Sequence, residues 1–126
     1  DGARVKLVNN LLAGINLVGA CEVMVLAEKM GLSKDTALSL IERSSGQSWI
    51  ATDGLRRVFA QDTTVGSHMR LLAKDTRLAM QAAAQVGYGG WLGAQAAKAF
   101  AMACEQGMTD RDDSAMLEFI RMADKT

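Results

Sequence analysis

Lys6 and Asn10 are the polar residues in the first part of the chain whose spacing could support chemistry. They are four positions apart in a run dominated by Val, Leu, Ile, Ala, Gly and Met, so a helix would stack their side chains on one face. An amine held beside an amide can exchange a proton with a substrate hydroxyl or carbonyl group. The alternative is that the lysine stem packs along an apolar helix while its ammonium group reaches water.

Lys74 and Asp75 form a second charged pair, inside the segment LLAKDTRLAM. This pair could face a ligand cleft, or it could be a solvated stripe on a helix.

The single histidine, His68, is expected at a helix N-terminus or on the surface. One histidine and two cysteines do not provide zinc-ligand spacing or a histidine-based triad. The glycine cluster at residues 87–93 follows a predicted helix instead of a strand, so it does not indicate a phosphate-binding loop.

The composition predicts which kind of fold must position these residues. A chain of 126 residues has the size of one domain. It is rich in Ala, Leu and Met and has no proline, and no segment alternates β-branched and polar residues, so we predict an all-α, multi-helix bundle. The 14 basic and 14 acidic residues balance, which argues against nucleic acid or an anionic membrane surface as partner.

The first predicted helix is long and apolar on more than one face, so the other helices should pack around it. Asn9, Asn10, Asn16 and Glu22 interrupt its apolar run, and we therefore expect neither a membrane span nor a signal peptide. Cys21 and Cys104 are interpreted as free thiols of a cytoplasmic protein, with a disulfide as the alternative. Helical periodicity predicts helices over residues 1–30, 34–43, 68–86, 91–106 and 114–122, and two short helical turns within 47–59.

Breaker and cap residues define the expected ends of these helices. Gly31 should end the first helix, and Ser33 should cap the second. Asp53 and Gly54 are expected to interrupt the segment 47–59, and Asp112 or Asp113 should cap the last helix. A helix-turn-helix over residues 33–49 is a weaker alternative, because its second helix lacks a basic stripe.

Four sequence blocks, in order, resemble the C-terminal domain of the 3-hydroxyisobutyrate dehydrogenase, or β-hydroxyacid dehydrogenase, family. They span nearly the whole chain. The blocks are G-x-x-x-K-x-x-N-N at residues 2–10, SSG-x-x-W at 44–49, LLAKDTRLAM at 71–80, and GMTDRDDSAM at 107–116. The resemblance implies a helical bundle like the C-terminal domain of 6-phosphogluconate dehydrogenase.

The same resemblance implies roles for single residues. Lys6 would be the catalytic general acid and base, Asn10 a substrate-binding residue, and Lys74 a residue that contacts NAD or NADP. Asp75 matches a motif position whose role stays open, as do Ser45 and Gly46. Related 6-phosphogluconate dehydrogenases have a glutamate seven positions after the lysine; Ala13 stands there, which disfavours decarboxylation of a sugar phosphate.

The resemblance also implies a domain organisation and partners. Residues 1–126 would be a helical C-terminal domain for substrate binding and dimerisation, and the N-terminal Rossmann domain that binds most of the cofactor would be absent. The expected partners are a small hydroxyacid or semialdehyde, the Rossmann domain and a second copy of the chain, with no nucleic acid, membrane or metal. The isolated domain would be inactive. The alternative function is a helical dimerisation module in which Lys6 has no catalytic role.

Overall fold

The computed structural model describes residues 1–124, which form six α-helices and two short helical turns. The helices are α1 (Gly2–Lys29), α2 (Lys34–Glu42), α3 (Trp49–Phe59), α4 (Met69–Gln85), α5 (Gly93–Ala103) and α6 (Met116–Asp124). A π-helical turn (Cys104–Met108) follows α5, and a 3-10 turn (Asp113–Ala115) precedes α6. These 124 residues contain no β-strand; the only β-type pairing among them is an isolated bridge between His68 and Asp112.

Helix α1 is the centre of the bundle, because each of the other five helices packs against it. Its buried face carries Leu17, Cys21 and Met24, all with no exposed surface. Phe100 of α5 and Met116 of α6 complete the core and are equally buried. A side chain of this size contributes about 1.5–3 kcal/mol when it is fully buried, so the core holds α1 in place.

Helix α1 is also long and apolar enough to cross a membrane, with a mean hydropathy of 1.7 over its most apolar 18-residue window. Buried helices at the centre of a protein meet the same criterion. Five helices pack on α1 and bury one of its apolar faces. A stripe along another face stays exposed in the single chain. Its large apolar members are Val5, Val8, Leu12, Val23, Leu26 and Met30.

The ends of α1 and α2 follow the predicted cap residues. The Gly31 N–H donates to the Glu28 carbonyl, and Gly31 adopts φ +80°, a conformation that favours glycine. The Ser33 hydroxyl accepts a hydrogen bond from the Thr36 N–H at 3.3 Å and so begins α2. Both predictions are confirmed, because cap chemistry is local to a few residues.

The predicted interruption at Asp53 and Gly54 was wrong, since α3 is continuous from Trp49 to Phe59. Gly54 is instead a packing position: a Cβ atom there would lie 3.1 Å from the Cβ atom of Ser114. The missing side chain lets α3 approach the 3-10 turn closely. A sequence pattern cannot distinguish this use of glycine from a helix break.

Candidate functional site

The three residues predicted to do chemistry line one cleft of about 450 Å³. Lys6 and Asn10 come from α1, and Lys74 comes from α4. The cleft lies where α1, α3, α4 and the 3-10 turn meet. It is lined by Lys6, Asn9, Asn10, Ala13, Trp49, Ile50, Asp53, Arg57, Gly66, Ser67, Leu71, Leu72, Lys74, Asp75 and Asp113.

A hydrogen bond between α1 and α4 orients Asn10. Its Nδ2 atom donates to Oδ2 of Asp75 at 2.7 Å, and its Oδ1 atom accepts from Nδ2 of Asn9 at 3.2 Å. Asp75 is buried, so it needs such a partner. An amide nitrogen carries two hydrogens, which leaves one donor of Asn10 for a ligand. The structure therefore gives Asp75 the positioning contact that its sequence motif had left open.

Lys6 and Lys74 are exposed and bring positive charge to the cleft. Neither ammonium group has an ion-pair partner among residues 1–124, so both are free to meet an anionic ligand. A substrate carboxylate or a dinucleotide phosphate would be attracted to this pair of charges. Lys6 of α1 thus lies at the edge of the bundle where a ligand can reach it.

Asp112 fixes the loop and the turn that close one end of the cleft. Its carboxylate accepts hydrogen bonds from the backbone N–H groups of Gly66 at 2.7 Å, Ser67 at 3.3 Å and Ser114 at 3.0 Å. It also forms an ion pair with Arg57 at 3.0 Å. Burial opposes ionisation, but the hydrogen bonds from Ser114 and Arg57 outweigh it and lower the pKa of Asp112 to about 2. Of the two predicted cap residues, Asp112 is a cap, but it caps the 3-10 turn that leads into α6.

Asp113 is a cleft residue that the sequence did not single out. It is 5% exposed, and its backbone N–H donates to the Ser67 carbonyl at 2.8 Å. Burial and the neighbouring charge of Asp112 raise the pKa of Asp113 to about 7, while Arg57 acts in the opposite direction. In the sequence it was only one of two possible cap residues, and nothing in the pattern indicated that it lines a cleft.

Other candidate residues lie elsewhere. His68 is at the N-terminus of α4, as predicted, and does not line the cleft. Ser45 and Gly46 follow α2, and Gly46 lines a separate pocket beside α1 and α2. Cys21 is buried and Cys104 is half-buried, and both are free thiols. Within the described part of the chain, no three His, Cys, Asp or Glu side chains come together as a metal-binding group.

Comparison with known proteins identifies the class. The L-threonate dehydrogenase of Cupriavidus necator is 31% identical over 117 residues, which cover 93% of this chain and 39% of that protein. The mitochondrial 3-hydroxyisobutyrate dehydrogenase of Bos taurus is 30% identical over 129 residues, covering 95% of this chain and 38% of that protein. The relatives are hydroxyacid dehydrogenases, and the chain spans less than half of their length.

Solved structures agree with this class. A 3-hydroxyisobutyrate dehydrogenase from Salmonella typhimurium is 29% identical with a TM-score of 0.86, over 90% of this chain and 40% of that one. A 3-hydroxyisobutyrate dehydrogenase from Mycobacterium tuberculosis, solved with L-serine, is 30% identical with a TM-score of 0.83, over 93% of this chain and 42% of that one. The chain belongs to the family described as NAD-binding of NADP-dependent 3-hydroxyisobutyrate dehydrogenase, whose model matches residues 1–120.

This family description corrects two predictions. The predicted all-α, multi-helix bundle agrees with the helices of residues 1–124, but its classification as the 6-phosphogluconate dehydrogenase C-terminal type was wrong, because the matching model describes an NAD-binding unit. The prediction that NAD or NADP is bound mainly by an absent domain conflicts with the same match, which lies within this chain. Both predictions rested on the resemblance of four sequence blocks to a family, whereas the helices themselves follow from periodicity.

Proposed function

We propose that this chain is part of an NAD(P)-dependent dehydrogenase of small β-hydroxyacids or their semialdehydes. The observation that carries the proposal is the convergence of Lys6, Asn10 and Lys74 on one cleft, in a chain of this family. Helix α1 contributes the first two residues and α4 contributes the third. A Rossmann domain is proposed to complete the nucleotide site, since the relatives are much longer than this chain.

Lys6 is proposed as the general acid and base. When a hydroxyacid is oxidised, the carbinol carbon loses a hydride and its hydroxyl group loses a proton. The uncharged form of the Lys6 amine accepts that proton, and the ammonium form returns one in the reverse reaction. The exposure of Lys6 and its position in the cleft suit this exchange. The nicotinamide cofactor, when bound, supplies the hydride acceptor.

Asn10 and Lys74 are proposed as binding residues. The Asn10 amide is held by Asp75, so its remaining donor points in a fixed direction and can bind a substrate oxygen. Lys74 presents an unpaired cation to the same cleft and would contact the dinucleotide, which is anionic. The chemistry of these donors fits NAD or NADP, and it agrees with the family's description as NAD-binding. We further propose a cytoplasmic location, consistent with two free thiols.

The test is a Lys6→Ala substitution in the protein that carries this sequence. Loss of a general acid and base typically lowers kcat by about 10²–10⁴-fold, whereas binding of NADPH, followed by fluorescence titration, should be retained. Lys98→Ala is the matched control, because Lys98 is an exposed lysine of α5 outside the cleft. Turnover by the Lys6 variant at the wild-type rate would refute the catalytic role.

A second candidate function is assembly through the exposed stripe of α1. Val5, Val8 and Leu12 are 68%, 72% and 57% exposed, and their spacing places them on one face. An apolar stripe of this kind marks an interaction surface, and we propose a second copy of the chain as its partner.

Sedimentation should report a dimer at micromolar concentration, and the Val8→Asp variant should dimerise more weakly. Val86→Asp is the control, since Val86 is exposed at the end of α4. A monomeric wild-type protein would refute this function.

A further inference from the structure

The carboxyl group of Asp113 is a cleft feature that the proposed proton transfer does not use. Asp113 lines the same cleft as Lys6 and Asn10, yet it is 5% exposed, so its carboxyl group is largely removed from bulk water. Buried carboxyl groups normally have a hydrogen-bond partner, which can be a side chain, the backbone or an ordered water molecule. Within residues 1–124, no side chain donates a hydrogen bond to Asp113 or pairs with it.

Arg57, the cation whose charge acts on Asp113, already has other partners. Arg57 binds Asp112 at 3.0 Å and Asp53 at 3.2 Å, and its Nη1 atom also donates to the Thr64 carbonyl at 3.2 Å. Asp75 is engaged by Asn10. The Ser114 backbone N–H gives Asp113 some stabilisation, but one amide does not satisfy both carboxyl oxygens. The remaining hydrogen bonds of Asp113 are therefore open to water or to a ligand in the cleft.

The backbone around Asp113 is held rigidly. Its N–H is bonded to Ser67, and Asp112 binds three further backbone N–H groups of the loop and the turn. On the other side, α3 packs against Ser114 through Gly54. A side chain on such a backbone is preorganised, so little conformational entropy is lost when it binds a ligand.

We propose that Asp113 is a specificity-determining residue that hydrogen-bonds a second hydroxyl group of the substrate, so that the cleft selects polyhydroxylated acids over alkyl-substituted ones. A hydroxyl group both donates and accepts, so it can pair with a carboxyl group in either protonation state. A methyl group at the same place would bury the carboxyl group without a partner, which is unfavourable. The inference rests on the proposed dehydrogenase function and names its substrate class.

The test compares L-threonate, which has further hydroxyl groups, with 3-hydroxyisobutyrate, which has a methyl group. We expect the wild-type protein to have the higher kcat/KM for L-threonate. Asp113→Leu should lower that value by about 10–100-fold and change the value for 3-hydroxyisobutyrate by less than about threefold. Asp113→Asn keeps a donor and an acceptor and should restore most of the activity on L-threonate. Asp110→Asn is the control, since Asp110 is exposed and outside the cleft.

Each outcome decides between the two proposals. Equal losses on both substrates in Asp113→Leu, with an unchanged melting temperature, would overturn the specificity role and leave the dehydrogenase function intact. A wild-type protein with the higher kcat/KM for 3-hydroxyisobutyrate would also overturn the specificity role. This measurement needs no variant, so it decides the proposal even if Asp113→Leu does not fold. No turnover of either acid by the wild-type protein, with NAD or with NADP, would reject the proposed function itself.

Discussion

The most direct physical test of the structure is the pH dependence of stability that Asp113 should produce. Its pKa is raised from an ordinary 3.8 to about 7 by burial and by the charge of Asp112. The folded protein therefore holds a proton between about pH 4 and pH 7 that the unfolded chain has already released. Stability from this group is fully present below about pH 4 and is lost as the pH rises to 7.

The magnitude follows from the size of the shift. Each pKa unit corresponds to about 1.4 kcal/mol, so a shift from 3.8 to about 7 corresponds to roughly 4 kcal/mol. A domain is usually stable by only about 5–15 kcal/mol, so the effect should be easy to measure. An asparagine side chain stays neutral at every pH. The Asp113→Asn substitution should accordingly remove the cost of ionising a buried carboxyl group above pH 7. Below about pH 4 it should change the unfolding free energy little.

The assay is urea denaturation of wild-type and Asp113→Asn protein at intervals from about pH 4 to pH 8. The difference in unfolding free energy should grow in favour of the variant through this window, by up to roughly 4 kcal/mol. Asp112, whose pKa is lowered to about 2, is present in both proteins, so its own titration does not set the difference between them. Asp110→Asn is the control for the loss of a carboxylate at an exposed position. A pH-dependent difference for Asp113→Asn no larger than that of the control would refute the burial argument.

Three further outcomes are expected. Gly14→Ala places a Cβ atom 2.8 Å from a methyl group of α4 and should lower the free energy of unfolding by about 1–3 kcal/mol. Gly19→Ala has open space around it and should stabilise α1 by roughly 0.5–1 kcal/mol; urea denaturation measures both changes. Asn10→Ala leaves buried Asp75 without its amide partner and should destabilise the fold by about 1–3 kcal/mol, with a raised substrate KM; an unchanged unfolding midpoint would contradict the contact. A thiol reagent at pH 8 should label Cys104 before Cys21, because burial raises the pKa of Cys21 to about 12; equal labelling rates in the native protein would contradict this.

Features encoded by a few neighbouring residues could be predicted from the sequence. The end of α1 at Gly31 and the Ser33 cap depend on local backbone chemistry, and both were correct. The stacking of Lys6 and Asn10 follows from helical periodicity. The prediction that Lys74 acts at the same site came from resemblance to a family. Lys74 lies 64 positions after Asn10 and 68 after Lys6, so no local pattern connects them.

Features that depend on contacts between distant segments could not be predicted. Gly54 resembles a helix breaker until Ser114 is seen packed against it. Asp113 resembles a cap residue until the fold places it in the cleft with its carboxyl group unpaired by any described side chain. The classification as a C-terminal domain came from the resemblance of four sequence blocks, and the matching family model, which is described as NAD-binding, contradicts it.

The central position of α1 has a consequence for synthesis of the protein. The contact between Glu28 of α1 and Arg121 of α6 joins residues 93 positions apart. At roughly 5–20 residues per second, a ribosome takes about 5–20 s to make the intervening chain. During that time the apolar faces of α1 lack their last partner, and nascent chains of this kind associate readily with one another or with chaperones. The helix that organises the finished fold is thus also the segment most exposed to aggregation before the fold is complete.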